Sequence, residues 1–115
     1  MKRGLRHVAL LSRDIEKTER FYTDALGLKV AFRAQGMSFI ATPGGDDLLN
    51  FVGTKKKFDP AAGGLDHFGL HVPRAAWRKT LARLKEHGIP ISGRRGDDAV
   101  YIRDPNGYMV ELYRD

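Results

Sequence analysis

At 115 residues, with 42% hydrophobic and 30% charged residues, the chain has the length of one domain and the composition of a folded protein, not a disordered one. No apolar run approaches the roughly 18 residues of a membrane span, the opening Met1-Lys2-Arg3-Gly4 leads into a stretch too short and polar for a secretion signal, and cysteine is absent, which excludes disulfides and thiolate chemistry and points to the cytoplasm. The net charge of +6 raises nucleic acid as a partner, but the basic residues are dispersed along the chain, Lys55-Lys56-Lys57 and Arg94-Arg95 fall in expected loops, and no recognition helix accompanies them, so a solvated basic surface is favoured.

Residues 5–11 form a short apolar run that reads as a strand. Ser12 or Asp14 then offers a side-chain oxygen to cap a helix. Ile15, Thr18, Tyr22, Ala25 and Leu26 make one stripe of that helix, and Gly27 ends it. Strands are expected over 28–34, 37–42 and 47–52, with Gly44-Gly45-Asp46 as a turn. Residues 54–63, holding three lysines and Pro60, read as a linker. The second half opens with an apolar run at 65–72. A helix carrying Trp77, Leu81 and Leu84 on one side follows, with Gly88 as its stop. Strands are expected over 89–92, 98–103 and 107–113, and Asp104-Pro105-Asn106-Gly107 is a turn.

The halves repeat one another. Gly4-Leu5-Arg6-His7-Val8-Ala9-Leu10 aligns with Gly64-Leu65-Asp66-His67-Phe68-Gly69-Leu70, sharing Gly, Leu, His and the final Leu, and Gly27-Leu28 corresponds to Gly88-Ile89. The expected architecture is α+β: two βαβββ modules, about 1–53 and 64–115, forming an open cup-shaped mixed sheet with helices outside.

His7 and His67 occupy matched positions of the two modules. A strand histidine taken alone is more often a hydrogen-bonded structural residue, but two at equivalent repeat positions favour a shared role. Strand alternation puts His67 on the same face as Gly69 and His71. Glu111 lies in the otherwise apolar run Tyr108-Met109-Val110-Glu111-Leu112-Tyr113. A carboxylate on an inward strand face needs a partner or a metal; the alternative is an edge-strand carboxylate facing water. Two imidazoles and one carboxylate form a ligand set that leaves coordination positions open for substrate and suits Fe(II), Mn(II), Ni(II), Co(II) or Zn(II). His71 is read as core or pocket lining. His87 sits at a helix end, where a cation meets the dipole.

These residues resemble a known family. His7, Asp24-Ala25-Leu26-Gly27-Leu28, Leu65-Asp66-His67 and Asp104-Pro105-Asn106-Gly107 followed by Glu111 resemble the vicinal oxygen chelate superfamily of glyoxalases, extradiol dioxygenases, fosfomycin-resistance thiol transferases, epimerases and bleomycin-binding proteins. The resemblance implies one divalent metal on His7, His67 and Glu111. It also implies a small substrate offering two adjacent oxygens and a homodimer, His7 coming from one subunit and His67 with Glu111 from the other. One departure matters. Glyoxalase and epimerase members carry a Glu or Gln where Asn50 stands, so their carboxylate base is missing here. The resemblance therefore implies an extradiol-dioxygenase-like or thiol-transferase-like enzyme. The alternatives are a metal-free antibiotic-sequestering protein and a glyoxalase- or epimerase-like enzyme. Asn50, Tyr101, Arg103, Tyr113 and His71 are pocket candidates, with Arg33 and Arg103 also readable as ordinary strand surface.

Overall fold

Both helices stop, and the first also starts, where local chemistry dictates. In a computed structural model that describes residues 4–115, Asp14 is the N-cap of the first helix and accepts from Lys17 N at 3.0 Å. Ser12 Oγ in turn accepts from Asp14 N at 3.2 Å, so both capping candidates act together. Helix α1 (Ile15–Arg20) continues as a π-helical stretch, Phe21–Ala25. Gly27 ends it at φ 74°, while Leu28 N reaches back to Tyr22 O at 2.9 Å. Helix α2 (Trp77–Glu86) ends in the same way: Gly88 has φ 66° and Ile89 N bonds Leu84 O at 2.9 Å.

The chain divides into two compact units, one ending at Lys57 and the other spanning Phe58–Asp115. The first holds β1 (His7–Ser12), α1, β2 (Lys29–Ala34), β3 (Met37–Ala41) and β4 (Leu48–Gly53). Its strand order is β1-β4-β3-β2, with β1 parallel to β4 and the other pairs antiparallel. The second holds β5 (Phe68–His71), α2, β6 (Gly93–Arg95), β7 (Ala99–Arg103) and β8 (Met109–Tyr113), ordered β5-β8-β7-β6 with the same mixture of directions. Each unit is thus a βαβββ module with an open, mixed, four-stranded sheet, the α+β architecture expected from the repeat.

Alternation sorts each sheet into two faces. In the first unit Leu10, Ile40 and Phe51 are buried on the side that meets the helix, where the Tyr22 ring lies 5.2 Å from Phe51. In the second, Val100, Ile102, Val110 and Leu112 are almost fully buried, as is Leu84 of α2. The opposite faces carry His7, Ala9 and Asn50 in one unit, and Gly69, His71, Tyr101 and Glu111 in the other.

The largest departures from the expected boundaries lie in the second unit. Residues 89–92 form no strand, because Pro90 has no N–H to give a ladder; pairing begins when Ser92 N donates to Tyr101 O at 2.7 Å. Arg94 and Arg95, expected in a loop, therefore lie in β6. Residue 67 stands just ahead of β5, which begins at Phe68.

Arg33 lies on the helix side of its sheet. It grips Glu19 of α1 through two bonds, Nε at 2.8 Å and Nη2 at 3.1 Å, while buried Ser38 donates to the same carboxylate at 2.5 Å. The Arg33 guanidinium, helped by Ser38, holds Glu19 below the usual carboxylate pKa. A lowered folded-state pKa adds stability that is fully present above the unfolded value and disappears as pH falls through the folded value. Glu19→Gln is therefore expected to flatten the loss of urea stability between about pH 5 and pH 2 relative to wild type; parallel urea midpoints in the two proteins would remove this role.

Candidate metal centre

The register of the second sheet puts Glu111 at its middle. Strand β8 lies between β5 and β7, with Gly69 on one side of Glu111 and Tyr101 on the other. The edge-strand alternative is thereby removed, and the residue is only 8% exposed. Its two oxygens have different neighbours. Oε1 faces His67 Nε2 at 3.1 Å, and Oε2 accepts from Arg95 Nη2 at 2.6 Å. Glu111 and Tyr101 bonded to Arg95 raise its pKa further, so it stays a fixed cation.

His67 is oriented from behind. Its Nδ1 donates to Asp66 Oδ2 at 2.6 Å, leaving Nε2 turned toward Glu111. A carboxylate behind an imidazole is the usual way to fix the tautomer of a metal-binding histidine. The bond to Asp66, then the charge of Glu111, raise the His67 pKa above its ordinary value. In the neutral form, Nε2 and Oε1 are two lone-pair donors facing one another, a geometry that calls for a proton or a metal ion between them.

Among the described residues, no group of three or more His, Asp or Glu side chains is placed so that it could hold a metal ion. The second unit offers two candidate ligands, with Asp66 behind one and Arg95 behind the other. His7 opens β1 in the first unit and is exposed there, opposite Leu48. Asn50 mirrors Glu111: it lies on the central strand of its sheet, beside Ala9, two residues past the histidine, as Glu111 lies beside Gly69. It is 8% exposed, and its Oδ1 has no hydrogen-bond partner. A buried amide oxygen left unpaired costs about 1–3 kcal/mol.

A cavity of about 470 Å³ in the second unit is lined by His67, Tyr101, Arg103, Leu65, Tyr108 and Met109, among others. The Tyr101 ring meets His67 edge-on at 5.6 Å. Arg103 is anchored by one bond, Nη1 to Gly107 O at 3.0 Å, and otherwise exposed. His71 and Tyr113, pocket candidates by their strand face, meet edge-on, and His71 Nε2 pairs with Asp115 at 2.8 Å. Sequence reasoning gave Asp66 and Arg95 no role at the site. Adjacency to His67 was the available signal for Asp66. For Arg95 there was none, since its approach to Glu111 depends on the β6–β7 register.

The profile of the Glyoxalase/Bleomycin resistance protein/Dioxygenase superfamily matches residues 4–112. The chain belongs to this superfamily. A catechol-2,3-dioxygenase of Bacillus subtilis (strain 168) is 31% identical over 117 residues, which is 95% of this chain and only 40% of that protein. The crystal structure of a glyoxalase/dioxygenase from Nostoc punctiforme superposes with a TM-score of 0.84 at 22% identity, covering 98% of this chain and 91% of the other. Fosfomycin resistance protein FosX from Mesorhizobium loti gives 0.76 at 18% identity, covering 98% and 92%. Likeness at these identities speaks for the fold; the chemistry of this superfamily member rests on its own residues.

Proposed function

We propose that this superfamily member is a metal-dependent homodimeric enzyme that binds one divalent cation through His67 and Glu111, with His7 of a second copy of the chain as the third ligand, and acts on a small molecule bearing two adjacent oxygens. The observation that carries the proposal is the Asp66–His67–Glu111 line, 2.6 Å then 3.1 Å, with Arg95 occupying the second carboxylate oxygen. When bound, the ion supplies Lewis acidity and open positions for substrate oxygens. The chain's own residues do the rest. Asp66 fixes the imidazole, Arg95 leaves one Glu111 oxygen free, and Tyr101 and Arg103 offer donors to a polar or anionic substrate in the cavity beside His67. Leu65, Tyr108 and Met109 give that cavity its apolar wall.

An extradiol-dioxygenase-like reaction is favoured over glyoxalase-like proton transfer, because Asn50 cannot serve as the carboxylate base. The curated catechol dioxygenase relative supports the same choice. Equilibrium dialysis against Mn(II) or Fe(II) tests the metal directly. Wild type is expected near one ion per chain and Glu111→Ala near none, with oxygen uptake on catechol only in the iron-loaded wild type. A metal-free wild type that binds bleomycin would instead establish the sequestering alternative.

A further inference from the structure

Four guanidinium groups line a second cavity, about 480 Å³, in the unit spanning Phe58–Asp115. Arg74 and Arg78 come from the approach to α2 and its first turn, Arg94 from β6, and Arg114 from just beyond β8. Like charges gathered in this way repel unless countered, and here the countering is uneven. Arg74 donates to the Asp115 carbonyl oxygen at 3.1 Å. Arg114 is fixed on three sides: over the Trp77 ring at 5.9 Å, on Asp97 O at 3.3 Å and beside Asp98 at 3.4 Å. Arg78 and Arg94 have no hydrogen-bond or ion-pair partner among the described residues. Asp97 is the single carboxylate of the lining. The start of α2 adds to the positive field, since its N-cap, Ala76, has no capping side chain and its first turn has no acidic residue.

We infer that this groove binds a small polyanion with two or more linked phosphate groups. Arg78 and Arg94 are its free clamps, and Arg114 is a contact already held in place. Guanidinium forks match phosphate oxygens through paired charge-assisted bonds. Two unpaired arginines from separate elements are best satisfied by a ligand with more than one anionic group. The immobilised Arg114 lowers the ordering needed on binding. The inference does not involve His67 or Glu111, so it stands apart from the metal centre.

The groove contains its own reporter, because Trp77 is the only tryptophan of the chain. The full chain is titrated with inorganic pyrophosphate at constant ionic strength while Trp77 fluorescence is read. Wild type is expected to give a saturable change. The R78A/R94A variant is expected to bind at least about tenfold more weakly. K55A/K56A, which removes the same charge from the linker, is expected to match wild type. Arg78 and Arg94 are exposed, so circular dichroism should report an intact fold. Equal weakening in both double variants would reduce the groove to diffuse charge and overturn the inference. So would the lack of any saturable response to pyrophosphate, or tighter binding of a single-stranded DNA 20-mer than of pyrophosphate.

Discussion

Replacing His67 by alanine is expected to lower divalent-metal affinity by about a hundredfold or more while leaving the fold unchanged. The size follows from the site: with so few protein ligands, each carries a large share of the binding free energy. The intact fold follows from location, since the His67 side chain is 35% exposed at the mouth of a cavity and contributes little core. Asp66→Asn is the graded companion. It keeps the shape but weakens the bond to Nδ1, and loss of such an outer partner typically reduces affinity about 10–100-fold. Because the Asp66 side chain is 94% exposed, the same change should barely move the urea midpoint. Isothermal titration with Mn(II) and Co(II) reads both effects. Equal affinity in wild type and His67→Ala would end the metal assignment; a loss in His67→Ala with none in Asp66→Asn would confine the failure to the orienting role. Occupancy should also rise with pH, since an entering ion displaces the proton that Asp66 and Glu111 favour on His67.

Phe51→Ala is expected to remove about 3–5 kcal/mol of stability, the range for deleting a fully buried aromatic side chain. Phe51 has no exposed surface and stacks 5.2 Å from the equally buried Tyr22, which joins β4 to the helical segment above it. Against a total of about 5–15 kcal/mol for a domain of ordinary stability, this is about a fifth or more. Urea unfolding should show a lowered midpoint with an unchanged slope. Phe32→Ala is the control. Phe32 also stacks, 4.2 Å from Phe39, but it is half exposed, so its loss should cost about 1 kcal/mol or less. Similar penalties at the two positions would mean that the open face of the first sheet is covered in solution.

The elements were legible in the sequence because their signals are local. Asp14 caps within three residues, Gly27 and Gly88 take positive φ for want of a Cβ, and the Trp77–Leu81–Leu84 spacing needs only helical geometry. The duplication did the rest, since two copies of one order of elements imply two copies of one topology. One boundary departs from its local signal: Pro90 delays β6 until Gly93.

The candidate site was legible only in part. The sequence alone determined the α+β repeat, the matched histidines and the isolated Glu111; resemblance to the superfamily added that Asn50 stands where some members carry Glu or Gln. Tertiary structure decided that Glu111 is central rather than at an edge, that Arg95 takes its second oxygen, and that Arg33 serves Glu19. It also gathered Arg74, Arg78, Arg94 and Arg114 along one groove. The reason is the range of the interactions. Caps, turns and faces are set by neighbours a few positions away, whereas Arg95 meets Glu111 across two strand pairings, and a shift of one residue in either would turn the guanidinium to the other face.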